Sequence, residues 1–328
     1  MSWGASLGAS LLIVLARPAL WVIALAGFLV RGGILLFLVP IVALPSPVGL
    51  ANAFAPTITT FVFSGPTTEL IVLGVLLAVV TALAFFAATW AAALVERALI
   101  LAVTIDEDLP DGMLAPAHPT PRAWRLVAVR LAVQLPLWAV VALGSPRLVE
   151  VTYGELTVPS DVVTPIVVRI LRAVPELLAG IAMAWVGGEI VGAIATRRIA
   201  LRGESIGQAM RGALVVFVLR PLGPIGAFVV TTSALLLAVV PIVAAAGFAF
   251  GGVRSALGTG GPGQILAALV ALGLFVMVWA AGLVVAGLAA AWRSSAATLE
   301  VLRVRGTFGA SSDRRSGDWD GHGVSGRL

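Results

Sequence analysis

Charged side chains fall inside stretches apolar enough to cross a bilayer, among them Arg31 in "FLVRGGILLF" (28–37) and Glu189 in "AWVGGEIVGA" (184–193). Arginine keeps its proton even in hydrocarbon, and a charge near the bilayer centre costs at least about 2.5–3.5 kcal/mol on insertion scales, so each needs a partner. An Arg31–Glu189 ion pair satisfies both. Helical side chains lean toward their own N-termini, and the two stretches run in opposite directions, so an offset of roughly two turns between them shrinks. Such a pair either locks two helices or binds a solute or coupling ion. The lock is the preferred reading, because a transport site carries more polar groups and a broken helix. A transporter would need the pair to line a wet cavity reached by Thr231, Thr232 and Ser233. The charges Glu69, Glu96, Arg169, Arg172 and Glu176 fall near the ends of apolar stretches, where snorkelling explains them.

Other chemistry is poorly served. "GASLG" (4–8) matches a nucleophile elbow around Ser6, but no strand precedes it and no histidine lies at its depth. The only histidines are His118 and His322, so a helical His pair for zinc cannot form, and the absence of cysteine excludes disulfides and thiolate ligands. "DWDGH" offers Asp318, Asp320 and His322 in a flexible tail, and "IDEDLPDG" (105–112) lacks the closing glutamate of a calcium loop. No phosphate-binding or dinucleotide fingerprint is present. The expectation is a protein that is not an enzyme, with no catalytic residue, metal or cofactor.

These residues must be held by membrane helices. With 60% hydrophobic and 11% charged residues in 328, the composition lies far from a soluble domain, where about 25% would be charged. An all-α, polytopic helical bundle follows, occupying 1–305, with spans at Ala19 to Leu44, Leu70 to Leu94, Ala123 to Leu143, Glu176 to Ala195, Ile225 to Phe248 and Gln264 to Trp292. The tail 306–328, rich in Gly, Ser and charge, is expected to be disordered. All 21 basic residues are arginine, a usage that fits GC-rich bacterial coding. With the N-terminus inside, most arginines fall on the cytoplasmic side, and only Arg147, Arg169, Arg172 and Arg254 fall outside. Short basic loops stay cytoplasmic, so both termini are placed there, in a bacterial inner membrane. The first arginine, Arg17, follows the apolar residues 4–16, which is the wrong order for a signal peptide.

Small residues recur every fourth position at Gly180, Ala184, Gly188 and Gly192, and again at Gly282, Ala286 and Ala290. With Gly32 and Gly33 they mark faces where helices approach closely. Arg197, Arg198, Arg202, Arg211 and Arg220 cluster beside a span, as residues that contact anionic headgroups do, so membrane lipids are the expected partner and nucleic acid is not. "SLGASLLIVLARP" (6–18) and "SIGQAMRGALVVFVLRP" (205–221) repeat one pattern, an interfacial helix closed by Arg-Pro before a span, and "TPRAWRLVAVRLAVQLP" (120–136) is a looser copy.

The segments "RGESIGQAMRGALVVFVLRP" and "AWRSSAATLEVLRVRG" resemble the membrane domain that accompanies some bacterial glycerophosphoryl diester phosphodiesterases, and its stand-alone relatives of about six spans. The resemblance covers mainly the second half. That family's catalytic domain has no counterpart here, so what it implies is an accessory role in the membrane, with a protein partner there. The alternative is a small permease subunit using Arg31 and Glu189.

Overall fold

The computed structural model describes residues 3–42, 67–104, 123–158, 166–259 and 261–316, together with 60, 65, 160, 161 and 164. The described residues form helices and no strand: α1 (Trp3–Ala16), α2 (Pro18–Leu38), α3 (Thr68–Thr104), α4 (Ala123–Thr157), α5 (Ile166–Ala173), α6 (Pro175–Arg202), α7 (Ile206–Leu219), α8 (Leu222–Thr259) and α9 (Pro262–Ser316). Six of them, α2, α3, α4, α6, α8 and α9, are long and apolar enough to cross a bilayer. The protein is an all-α bundle of membrane-spanning type. Several helices outrun the hydrocarbon: the 37 residues of α3 reach about 55 Å, against a core of about 30 Å.

Local chemistry sets the boundaries. Pro18 and Pro175 open α2 and α6, where a missing N–H costs nothing. The residue ahead of each proline is forced out of the helical region, so Arg17 (φ −130°, ψ 83°), Val174 (φ −130°, ψ 49°) and Arg220 (φ −138°, ψ 58°) share one elbow conformation. α1 and α7 have the same length, 14 residues, and both end at an Arg-Pro elbow. The looser third copy does not behave this way, because Pro136 sits inside a continuous α4. The third elbow is instead Val174–Pro175, after the short helix α5. Between α6 and α7, Gly203 ends one helix in the left-handed region (φ 66°), and a capping box of Ser205 and Gln208 starts the next. α9 runs on to Ser316, so the first part of the tail expected to be disordered is helical. Extending an existing helix adds one hydrogen bond per residue without a new nucleus. Residues 317–328, with Asp318, Asp320 and His322, lie outside the described residues, as do the acidic run after α3 and His118.

The chain divides into two compact units. One comprises Met1–Leu11, Ile100–Val230 and Ser295–Leu328, and so holds α4, α5, α6 and α7 whole. Here the small-residue stripe of α6 lies against α4. A Cβ on Gly188 would stand 2.7 Å from the Val133 carbonyl oxygen, and one on Gly180 would stand 3.2 Å from Val140. The other unit comprises Leu12–Leu99 and Thr231–Ser294, holding α2 and most of α3, α8 and α9. Its core gathers Phe37, Leu235, Val239, Ala286 and Ala289. The α9 stripe faces this core: a Cβ on Gly282 would meet Ile242 at 2.7 Å and Phe37 at 3.0 Å. These four spans are the two hairpins that the Arg-Pro elbows open.

Candidate functional site

Arg31 stands where α2 is interrupted. Residues Leu29–Gly33 form a π-helical turn with Gly32 at φ 100°, a conformation that a Cβ would strain. Two consecutive glycines after Arg31 weaken the helix here, and π turns of this kind recur at functional sites. Beyond the turn, the Phe37 ring packs edge-on against Phe28 and Trp279, and Trp279 Nε1 donates to the Phe37 carbonyl at 3.0 Å. The segment is therefore interrupted yet firmly held.

The partner of Arg31 is Glu96 of α3, not Glu189. Arg31 Nη2 donates to Glu96 Oε2 at 2.6 Å, and the two side chains are 39% and 4% exposed. The cause is the close approach of α2 and α3 one turn earlier, where a Cβ on Gly27 would lie 2.7 Å from Val95. Depth agrees. Arg31 is roughly 20 Å along the axis from Pro18 and leans back toward that end, while Glu96 is roughly 12 Å from the end of α3 at Thr104. Glu96, expected near an interface, lies on a helix that continues past Leu94 to Thr104.

Glu189 finds Arg130 of α4, with Nη1 3.4 Å from Oε1 and side chains 22% and 9% exposed. The glycine stripe explains the choice. Gly188 and Gly192 bring α4 against α6, and a Cβ on Gly192 would come within 3.1 Å of Val133 and 3.5 Å of the Arg130 guanidinium. The helix that the stripe admits is α4, which carries its own arginine. Each unit thus holds its own Arg–Glu pair.

The arginines expected at headgroups separate into three kinds. Arg197 is buried: its Nε donates to Thr298 Oγ1 at 3.0 Å and its Nη1 to the Ala193 carbonyl at 2.9 Å, so it braces α6 against α9 and is no headgroup contact. Arg198 and Arg202 share Glu204, at 2.8 and 3.5 Å, around the α6–α7 turn. Arg211 and Arg220 are exposed. Gly32 has no neighbour within 4 Å where a Cβ would point, so its role is conformational rather than a packing contact, whereas Gly33 lies under the Phe28 ring. Ala184 and Ala290 are half-buried.

Among the polar residues named for a transport cavity, Thr231 is buried, Thr232 Oγ1 is buried without a hydrogen-bond partner, and Ser233 is exposed. Ser6 is buried and gives its hydroxyl to the Trp3 carbonyl at 2.7 Å, which leaves the elbow motif no reacting group. Among the described residues no group of three His, Asp or Glu side chains could hold a metal. Sequence reasoning missed Arg254, whose Nη2 donates to the Ile41 carbonyl at 2.7 Å while its guanidinium lies 4.8 Å from the Phe250 ring centre. Its signal was an arginine on the poorer side of the arginine bias. No family model, no curated protein and no solved structure matches the chain, so its function is argued from these pairs and surfaces.

Proposed function

We propose that the protein is a non-enzymatic, lipid-contacting component of a bacterial inner membrane, with both termini cytoplasmic and an accessory role toward a membrane partner. The observation that carries this reading is the exposed face of α7. Along one side it passes from Gln208 and Arg211 to Leu214, Val215, Val218 and Leu219, all exposed, and ends at exposed Arg220 before the proline elbow. A helix whose outer face carries an arginine at each end of an apolar stretch suits lying along the membrane surface, its arginines at anionic headgroups and its apolar side chains among acyl chains.

The test is thermal unfolding of the purified chain in micelles supplemented with phosphatidylglycerol or phosphatidylcholine. Phosphatidylglycerol is expected to raise Tm more. The Arg211→Gln/Arg220→Gln double variant should lose most of that preference, about 1 kcal/mol for each arginine. Equal response of the wild type to both lipids rejects the reading.

The permease reading draws on one observation, the interrupted helix at Arg31. It now rests on Arg31 and Glu96 instead of Arg31 and Glu189. Solute uptake lost in Arg31→Gln with lipid preference unchanged would favour it.

A further inference from the structure

We propose that Arg31 receives the phosphate of a phospholipid headgroup inside the membrane, and that the break at Gly32 marks a track by which phospholipids exchange leaflets. The inference rests on the lipid-contacting reading and assigns it a task. Three observations meet at Arg31.

First, the side chain faces outward. Its neighbours along α2, Val30, Ile34 and Leu35, are 37%, 48% and 65% exposed. In a bilayer this is a face turned to acyl chains. Second, the guanidinium is only partly used. A guanidinium carries five N–H donors in a planar fork that matches phosphate oxygens. Among the described residues its partner is Glu96, through Nη2, and the side chain is 39% exposed. Third, it is pinned. Glu96 is 4% exposed and holds the guanidinium at 2.6 Å, roughly 14 Å along the axis from the α2 elbow once the lean of the side chain is counted, so a helix that crosses the bilayer from that elbow carries it within the hydrocarbon. Hydrocarbon offers no acceptor for the remaining donors, so a lipid-facing arginine at this depth draws water and headgroups inward and thins the bilayer. Gly32 leaves open space beside it, with no atom within 4 Å of where a Cβ would point.

A phosphate oxygen is the acceptor this geometry suits, because bidentate arginine–phosphate bonds are among the strongest available. A headgroup held there is partway across. Binding weak enough to exchange with Glu96 lets it leave on either side, so the barrier to crossing falls.

The experiment uses the full chain in vesicles of phosphatidylcholine with a minor share of phosphatidylglycerol and a trace of NBD-labelled phosphatidylethanolamine, with dithionite added outside. Empty vesicles bleach only the outer leaflet. Wild type is expected to bleach both. Arg31→Gln should slow the inner-leaflet phase about tenfold, the loss of a charge-assisted hydrogen bond. Glu96→Gln should match or exceed the wild-type rate, since it releases the guanidinium. A purely structural pair makes both variants fail alike, and that result overturns the proposal. So does wild-type bleaching that stops at the outer leaflet, a result independent of any variant's folding. Should Arg31→Gln not fold, the wild type and Glu96→Gln decide alone.

Entrapped inorganic phosphate separates the two sources of the ligand. It should be retained, and release that Arg31→Gln abolishes would assign the site to a soluble anion and overturn the lipid proposal. Stalled bleaching with the phosphatidylglycerol preference intact overturns leaflet exchange alone. Stalled bleaching with that preference also absent removes the lipid-contacting reading too.

Discussion

At the scale of single residues, the Arg31–Glu96 pair is a case in which deleting one charge costs more than deleting both. Removing Arg31 leaves a carboxylate that is 4% exposed without its 2.6 Å partner. Breaking a buried pair from one side costs roughly 3 kcal/mol or more, and the 39% exposure of Arg31 together with the further contacts of Glu96 holds the figure below that. Arg31→Leu is therefore expected to lower Tm in detergent markedly, while Arg31→Leu/Glu96→Leu recovers much of the loss. A double variant as unstable as the single would mean that Glu96 does not depend on Arg31. The anomaly of Arg31 was legible in sequence, since nothing else in 28–37 is polar. Its partner was not. Choosing between Glu96 and Glu189 depended on which helix lies one turn below Arg31, and the contact of Gly27 with Val95 supplies that only in three dimensions. Arg197 misled for a related reason: its place in a basic cluster gave no sign that Thr298, a hundred residues away in the chain, accepts its hydrogen bond.

At the scale of elements, the α4–α6 crossing makes two adjacent glycines behave oppositely. Gly188 meets the Val133 carbonyl oxygen at 2.7 Å from where a Cβ would be, and this backbone atom cannot swing aside. Gly187 has nothing within 4 Å. Gly188→Ala should push the helices apart and cost about 1–3 kcal/mol, as overpacking does. Gly187→Ala should be neutral, or stabilise by up to about 1 kcal/mol through helix propensity. Thermal unfolding of the two variants side by side checks the sign, and equal effects would show that the stripe does not set the crossing. The stripe itself was readable from its four-residue spacing, as were the Arg-Pro elbows. The occupant of the stripe was not readable, because small-residue spacing specifies how near a helix can come but not which helix comes. The elbow at Val174 escaped notice because the pattern sought was Arg-Pro, whereas the physical requirement is any residue pushed out of the helical region by the proline after it.

At the scale of the whole molecule, hydropathy alone gave six spans because hydrocarbon leaves the backbone few alternatives to helix. It could not locate their ends, since α3 and α9 continue as helices well beyond the apolar windows that revealed them. Orientation is a separate question, carried by the arginines. A chain without cysteine makes it accessible, because a single introduced thiol is the sole site of labelling. Ser160 is exposed between α4 and α5, and Gly207 is exposed near the start of α7 with open space around it, so a cysteine is tolerated at either. If the arginine bias sets topology, Ser160→Cys reacts with a membrane-impermeant maleimide in intact cells, while Gly207→Cys reacts only after permeabilisation. The reverse pattern would put Arg211 and Arg220 on the outer surface, away from the anionic inner leaflet, and would remove the electrostatic basis for lipid contact by α7. The leaflet-exchange proposal would lose with it the reading on which it rests, and inner-leaflet bleaching by the wild type would have to support it alone.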